Sequence, residues 1–315
     1  MPRHSRPRHG SLQFYPRKRA EKVLPSVNWK AIPSIEKDSL LGFIAYKAGM
    51  ASALVKDNTE HSLTTKKRIA IPVTILEVPN MKIYSVRFYN HKKPIKDVVV
   101  SNDKELKRIL KAPKKSKEFE KEIPKEYNDI RVILYSIPKQ TSIKKTPDIV
   151  EVAVNAKDKL AFVKSLVGKE IPLYDVLHSK LLDVKSLTKG KGFQGPVKRF
   201  GIFLRHHKSE KGVRKVGSIG PWHPVHLSFR TPMAGQMGYA TRVVYNQKVI
   251  SSGTIKEKNI NPSSGFKNYG KILSSYLIIK GSVPGPAKRQ LMITPAQSPN
   301  KKQSKLNYEL LEVIA

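Results

Sequence analysis

The chain has no cysteine among its 315 residues. Disulfide cross-links, thiolate nucleophiles and Cys-ligated zinc are therefore excluded, which fits a reducing cytoplasm. Long apolar runs are also missing. The longest, such as residues 40–46, fall far short of the ~20 residues that a membrane-spanning helix needs. The opening residues Met1-Pro2-Arg3-His4 hold no apolar signal core, and neither a clean amphipathic helix nor a lipidation signal follows. No membrane partner is expected. Acids are the scarcest class relative to need: 24 Asp+Glu stand against 60 Lys+Arg, a formal charge of +36. Such a chain repels itself when compact and calls for a polyanion, with counterion release making nucleic acid the natural one.

Hydrophobic residues make up 39% of the chain, too many for a disordered polycation, so part of it must pack a core. The charge is uneven. Residues 101–185 hold 19 bases and 13 acids, the mixture of an ordinary solvated surface, whereas residues 1–30 hold 8 and 1, and residues 186–250 hold 12 and 1. The two acid-poor segments are not built to face only water. The first, rich in proline and without an alternating apolar face, reads as an extended arm.

β-Branched and aromatic runs bounded by Gly, Pro and Asn predict strands over 41–50, 68–78, 83–88, 180–187, 242–249, 275–280 and 289–293. Scattered in this way, they suggest one β-barrel interrupted by insertions. The acid-containing block predicts helices over 103–110 and 156–166, capped by Asn102 and Asn155, and strands over 132–136 and 150–154. It reads as a small α/β insert.

Residues 188–201 read Thr-Lys-Gly-Lys-Gly-Phe-Gln-Gly-Pro-Val-Lys-Arg-Phe-Gly. Glycines at 190, 192 and 195 let backbone approach a partner closely, while Lys and Arg suit phosphates and Phe193 suits an unpaired base. A glycine-rich hairpin with incidental lysines is the plain alternative. The spacing of a nucleotide-binding phosphate loop is absent. Further on, Pro221 and Pro224 bracket Trp222 and His223, so the indole is presented on a turn, either at RNA or as a core anchor. His206, His207, His223 and His226 have metal-like spacing, yet Glu210 is the only acid nearby, so no metal, cofactor or catalytic water is expected. No Gly-x-Ser-x-Gly turn supports a nucleophilic triad. Later glycine turns at 234–239, 265–270 and 281–289 serve equally as barrel corners or as RNA contacts, with Lys288 and Arg289 favouring phosphate.

The runs at 10–20 (Gly-Ser-Leu-Gln-Phe-Tyr-Pro-Arg-Lys-Arg-Ala), 46–50 (Tyr-Lys-Ala-Gly-Met), 188–201, 214–226, 235–239 and 281–289 occur in an order that resembles the universal large-subunit ribosomal protein L-three family, in its archaeal and eukaryotic form. The resemblance implies a mainly β fold: a translation-type six-stranded β-barrel, an inserted small α/β region, and long extended basic segments that run inward through 23S-type rRNA. It implies an arm over 1–38, barrel over 39–100, insert over 101–180, a barrel strand over 181–190, a central finger loop over 191–240, and barrel with C-terminal tail over 241–315. It also implies early subunit assembly, a loop tip near the peptidyl-transferase region, a monomer among neighbouring large-subunit proteins, a cytoplasmic location, and neither catalysis nor a small-molecule substrate. Two departures stand out. Phe200 replaces the family's Trp, keeping a stacking face but losing an N–H donor, and Glu210 stands where eukaryotic members often carry a modified His. The insert is short.

The expected rRNA contacts are Arg3, Arg6, Arg8, Arg17, Lys18 and Arg19 in the arm and Lys189, Lys191, Phe193, Gln194, Lys198, Arg199 and Arg205 entering the loop. They continue with Lys211, Arg214, Lys215, Trp222 at the tip, His223, His226, Arg230 and Arg242, and end at Lys288 and Arg289. Two other classes compete. A general nucleic-acid chaperone or chromatin-like protein would bind duplex DNA and arbitrary RNA alike, and an RNA-modifying enzyme would need His223 or His226 for turnover.

Overall fold

A computed structural model describes residues 10–111 and 119–314. Arg3, Arg6 and Arg8 lie outside the described residues. The chain forms two compact units, one from Met1–Val23 and Leu187–Arg242, the other from Leu24–Ser186 and Val243–Ala315. The fold is mainly β, and helices are few and short.

The larger unit opens with β1 (Ser39–Leu40), β2 (Phe43–Asp57), β3 (Arg68–Val78), β4 (Met81–Asn90) and β5 (Lys93–Val99). It continues with β6 (Asp129–Ser136), β7 (Ile149–Asn155), helix α1 (Lys159–Leu166) and β8 (Leu181–Leu187). The smaller unit contributes β9 (Phe193–Gln194), helix α2 (Pro196–Phe200) and β10 (Gly235–Gln236). Then follow β11 (Thr241–Thr254), β12 (Ser275–Lys280), β13 (Gln290–Pro295), helix α3 (Lys301–Lys305) and β14 (Tyr308–Ile314).

One sheet runs β13-β8-β11-β12-β3-β2-β14, and β13 pairs on its other edge with β2, Leu291 opposite Ala45. A second, antiparallel sheet runs β1-β7-β6-β4-β5. Residues 81–90 therefore pair with 129–136 and residues 93–99 with 81–90, rather than with the strands at 43–78. Pro72 is tolerated in β3 because the β12 pairing ends one residue away, at Val73 opposite Lys280.

Burial in β8, β12 and β13 is nearly continuous, so both faces of these strands are covered. Polar residues in this setting need partners. Asp183 in β8 accepts from the N–H of Asn246 and of Gln297, both at 2.9 Å, and Lys185 donates to Thr294 Oγ1 at 2.6 Å. Glu77 in β3 is fully buried and accepts from the Tyr269 hydroxyl, from Leu273 N (2.8 Å), and from Ser274 N and Oγ (both 3.0 Å). Burial, with the Glu77 charge adding to it, pushes the Tyr269 phenol well up. Replacing Glu77 with Ala strands these donors without an acceptor and is expected to cost about 3–5 kcal/mol. Urea unfolding of the purified variant checks this; a loss under about 1 kcal/mol would show that water replaces the carboxylate.

The helix expected over 103–110 is a single 3-10 turn at Leu106–Arg108. Leu106 alone is buried there, and one apolar contact does not offset helix nucleation. Helix α1 starts at Lys159 because Asp158 caps it, accepting from Leu160 N and Ala161 N at 3.0 and 3.1 Å. Asn155 instead donates to Ile35 O (2.7 Å) and Lys37 O (3.0 Å).

Candidate nucleic-acid interface

The smaller unit holds 18 Lys+Arg against Glu21 and Glu210 as its only acids. Its base is a narrow ladder. Thr188 N donates to Ala240 O (3.0 Å), Lys191 N to Met237 O (3.0 Å) and Met237 N to Gly192 O (2.9 Å), after which Phe193 pairs with Gln236. Gly238 sits at φ +71° with its Cα facing Lys189 O, where a Cβ would approach to 2.1 Å. Only glycine fits there. Pro196 then starts α2, and Gly201 ends it at φ +66° with its N–H on Val197 O.

This helix aims its three side-chain types in different ways. Lys198 is exposed, Phe200 is buried, and Arg199 is half-buried. Arg199 Nε donates to Gln236 O (3.0 Å), Nη1 to Met233 O (2.8 Å) and Nη2 to Arg17 O (3.3 Å). Arg17 returns a bond to Arg199 O at 3.4 Å and lies 4.3 Å over the Phe200 ring, with Arg199 5.1 Å from the same ring. Phe200 thus meets two guanidinium groups, a role its ring fills without an indole N–H. Burial, with the Arg17 charge adding to it, lowers the pKa values of Arg199 and Arg242. Arg242 lies 4.1 Å over Phe14, Arg19 lies 5.2 Å over Tyr239, and Ala20 N donates to Tyr239 O at 3.0 Å. Arm residues 10–20 are strapped to the root of the loop by arginine.

Beyond α2 the character changes. No residue between 201 and 234 is buried. Trp222 is 80% exposed, and Phe203, Leu204, Ile219, Val225, Leu227, Phe229 and Met233 are exposed as well. Arg205, Lys211, Arg214, Lys215, His223, His226 and Arg230 are exposed among them. What order the loop has comes from contacts such as Arg205 N to Val213 O (2.9 Å), Thr231 Oγ1 to Ile219 O (3.2 Å) and the edge of Tyr15 against Phe229 (6.0 Å). His206 and His207 lie ring to ring at 4.2 Å, and among the described residues no group of three His, Asp or Glu side chains is arranged to hold a metal.

Of the other expected contacts, Lys18, Arg19, Lys189, Lys191 and Phe193 are exposed in this unit. Gln194 is half-buried and donates to Lys191 O. Lys288 and Arg289 belong to the larger unit, where their backbone bonds to Lys47. The apolar series from Phe203 to Met233, with Leu12 and Phe14, was missed as a functional set. The sequence carries the signal: large apolar residues without helix or strand periodicity inside a run whose one acid is Glu210.

The chain matches the family model described as Ribosomal protein L3 over residues 1–314. It is 38% identical to the large ribosomal subunit protein uL3 of Methanocaldococcus jannaschii, over 94% of this chain and 93% of that protein. The uL3 proteins of Archaeoglobus fulgidus (39%, covering 95% and 94%) and Methanobrevibacter smithii (38%, covering 98% and 97%) are similar to it to the same degree.

Proposed function

Because the chain belongs to the ribosomal protein L3 family, we propose that it is a non-catalytic constituent of the large ribosomal subunit that binds 23S-type rRNA through its arm and central loop. The carrying observation is the stretch 201–234, in which no side chain is buried although eight large apolar groups and several cations are present. A monomer in water does not hold such a surface open without a partner to cover it. Cations pair with phosphates, and flat apolar side chains stack on unpaired bases or pack against sugars. The loop thereby orders on RNA, and Trp222 at its tip supports the peptidyl-transferase region. The straps from Arg17, Arg19, Arg199 and Arg242 present arm and loop together, which favours early assembly by lowering the ordering cost on binding.

We further read the cycle β2-β3-β12-β11-β8-β13, returning to β2, as the six-stranded translation-type barrel, with 101–180 as its insert and 1–38, 191–240 as the RNA-facing extensions. Two-edged pairing of β13 supports this reading. A ribosomal constituent of this kind works as a monomer among other large-subunit proteins in the cytoplasm. The test is sedimentation. The protein is expected to remain with large subunits through high-salt washing, because buried apolar contacts are not screened. Release at moderate salt, with the protein recovered on free RNA, contradicts the proposal and favours a general nucleic-acid chaperone.

A further inference from the structure

Three lysines are buried among the described residues: Lys47, Lys185 and Lys248. Two have nearby compensation. Lys47 Nζ donates to Val283 O at 2.8 Å and Gly285 O at 3.2 Å, and Lys185 Nζ donates to Thr294 Oγ1 at 2.6 Å; burial lowers the pKa of both, with the Asp183 charge opposing it at Lys185. Lys248 in β11 differs. It is 7% exposed, its ammonium donates to Ser304 O at 3.3 Å, and no carboxylate among the described residues lies within ion-pair distance. Its ionised form is disfavoured by burial and then by the charge of Lys180. Both lysines line a cavity of about 670 Å³ in the larger unit, together with Lys305, His61 and His178, and with Glu60 as the one carboxylate.

An ammonium has three donor hydrogens, and one long carbonyl bond leaves the charge undercompensated in a partly desolvated place. An anion supplied from outside corrects this, and it would meet Lys180 and Lys305 at the same moment. We propose that this cavity is a second nucleic-acid site, seating a phosphodiester group of an RNA strand against Lys180, Lys248 and Lys305, apart from the arm and loop. Its volume exceeds that of a lone phosphate ion and leaves room for the adjoining sugar. The choice of RNA over an acidic peptide rests on the function proposed above; the anion site itself does not.

The test uses the full-length protein, with inorganic phosphate and then a short oligouridylate as probes, read by thermal unfolding of the larger unit. At about 100-fold above its Kd, phosphate is expected to raise the wild-type midpoint by roughly 5–10 °C. Lys248→Met should start with a midpoint above wild type, having lost an uncompensated charge, and should lose most of the rise. Lys180→Met, at an exposed position that cannot compromise folding, should lose part of it, while Lys198→Met in the smaller unit should keep it all. Equal rises in wild type and both cavity variants overturn the site. A Lys248-dependent rise with phosphate and with an oligoglutamate peptide, but not with oligouridylate, overturns RNA as the occupant. Neither outcome touches subunit sedimentation, so failure here is separable from failure of the ribosomal reading.

Discussion

Substituting Arg199 with Ala is expected to release the N-terminal arm from the root of the loop while leaving the larger unit folded. Three backbone carbonyls lose a charged donor at once: Gln236 O, Met233 O and Arg17 O. Phe200 also loses one of its two guanidinium neighbours. Hydrogen bonds to charged groups contribute about 1.5–3 kcal/mol each and are not additive, so a local loss of about 3 kcal/mol is a fair expectation. Amide hydrogen exchange over residues 10–20 and 233–240 should then speed up by about 100-fold, with the thermal midpoint of the larger unit unchanged. Lys is the informative second substitution. It keeps the charge but not the planar fork that reaches three carbonyls in fixed directions. If Arg199 acts by positioning, Arg199→Lys should exchange nearly as fast as Arg199→Ala while the salt dependence of RNA binding stays close to wild type. If Arg199 is instead chiefly a phosphate contact, the Lys variant should exchange like wild type, and the Ala variant should lower the salt slope by about one.

Trp222→Ala should separate stability from assembly more sharply than any other change. The indole is 80% exposed in a stretch without buried residues, so its removal should alter unfolding free energy by less than about 0.5 kcal/mol. Stacking of an aromatic ring on a base contributes about 1–3 kcal/mol, so occupancy of the RNA-bound state of the loop should fall by roughly 5- to 150-fold. Competition between tagged wild type and variant for incorporation into large subunits measures this, and Trp222→Phe should recover part of the loss. A marked drop in the unfolding midpoint of the isolated variant would show that the indole supports the protein rather than the complex.

Much of this fold and loop is legible in the sequence alone. Valine- and isoleucine-rich runs such as 71–78 and 275–280 alternate or persist in ways that only strands bury. The acid-poor run announces the exposed loop through charge alone. Other parts were hidden for physical reasons. Leu-Leu-Asp-Val-Lys-Ser-Leu in β8 mixes charges into a strand buried throughout, because Asp183 and Lys185 find partners distant in sequence. Tyr308–Ile314 carries Glu309 and Glu312 and has little burial of its own, so its pairing with β2 left no strong local mark. Arg199 resembles its neighbour Lys198 in charge, and only the tertiary arrangement turns one inward to carbonyls and leaves the other in solvent. Lys248 was invisible as a buried residue for the same reason.

The central claim is that the loop between 201 and 234 is left open by the protein because RNA covers it. It is tested most directly by a photo-crosslinking amino acid placed at position 222 and activated in purified large subunits. The account predicts crosslinks to a small set of neighbouring nucleotides in the large-subunit rRNA, lost when the loop is deleted. Crosslinks only to proteins, or to rRNA positions scattered without a common neighbourhood, would contradict it.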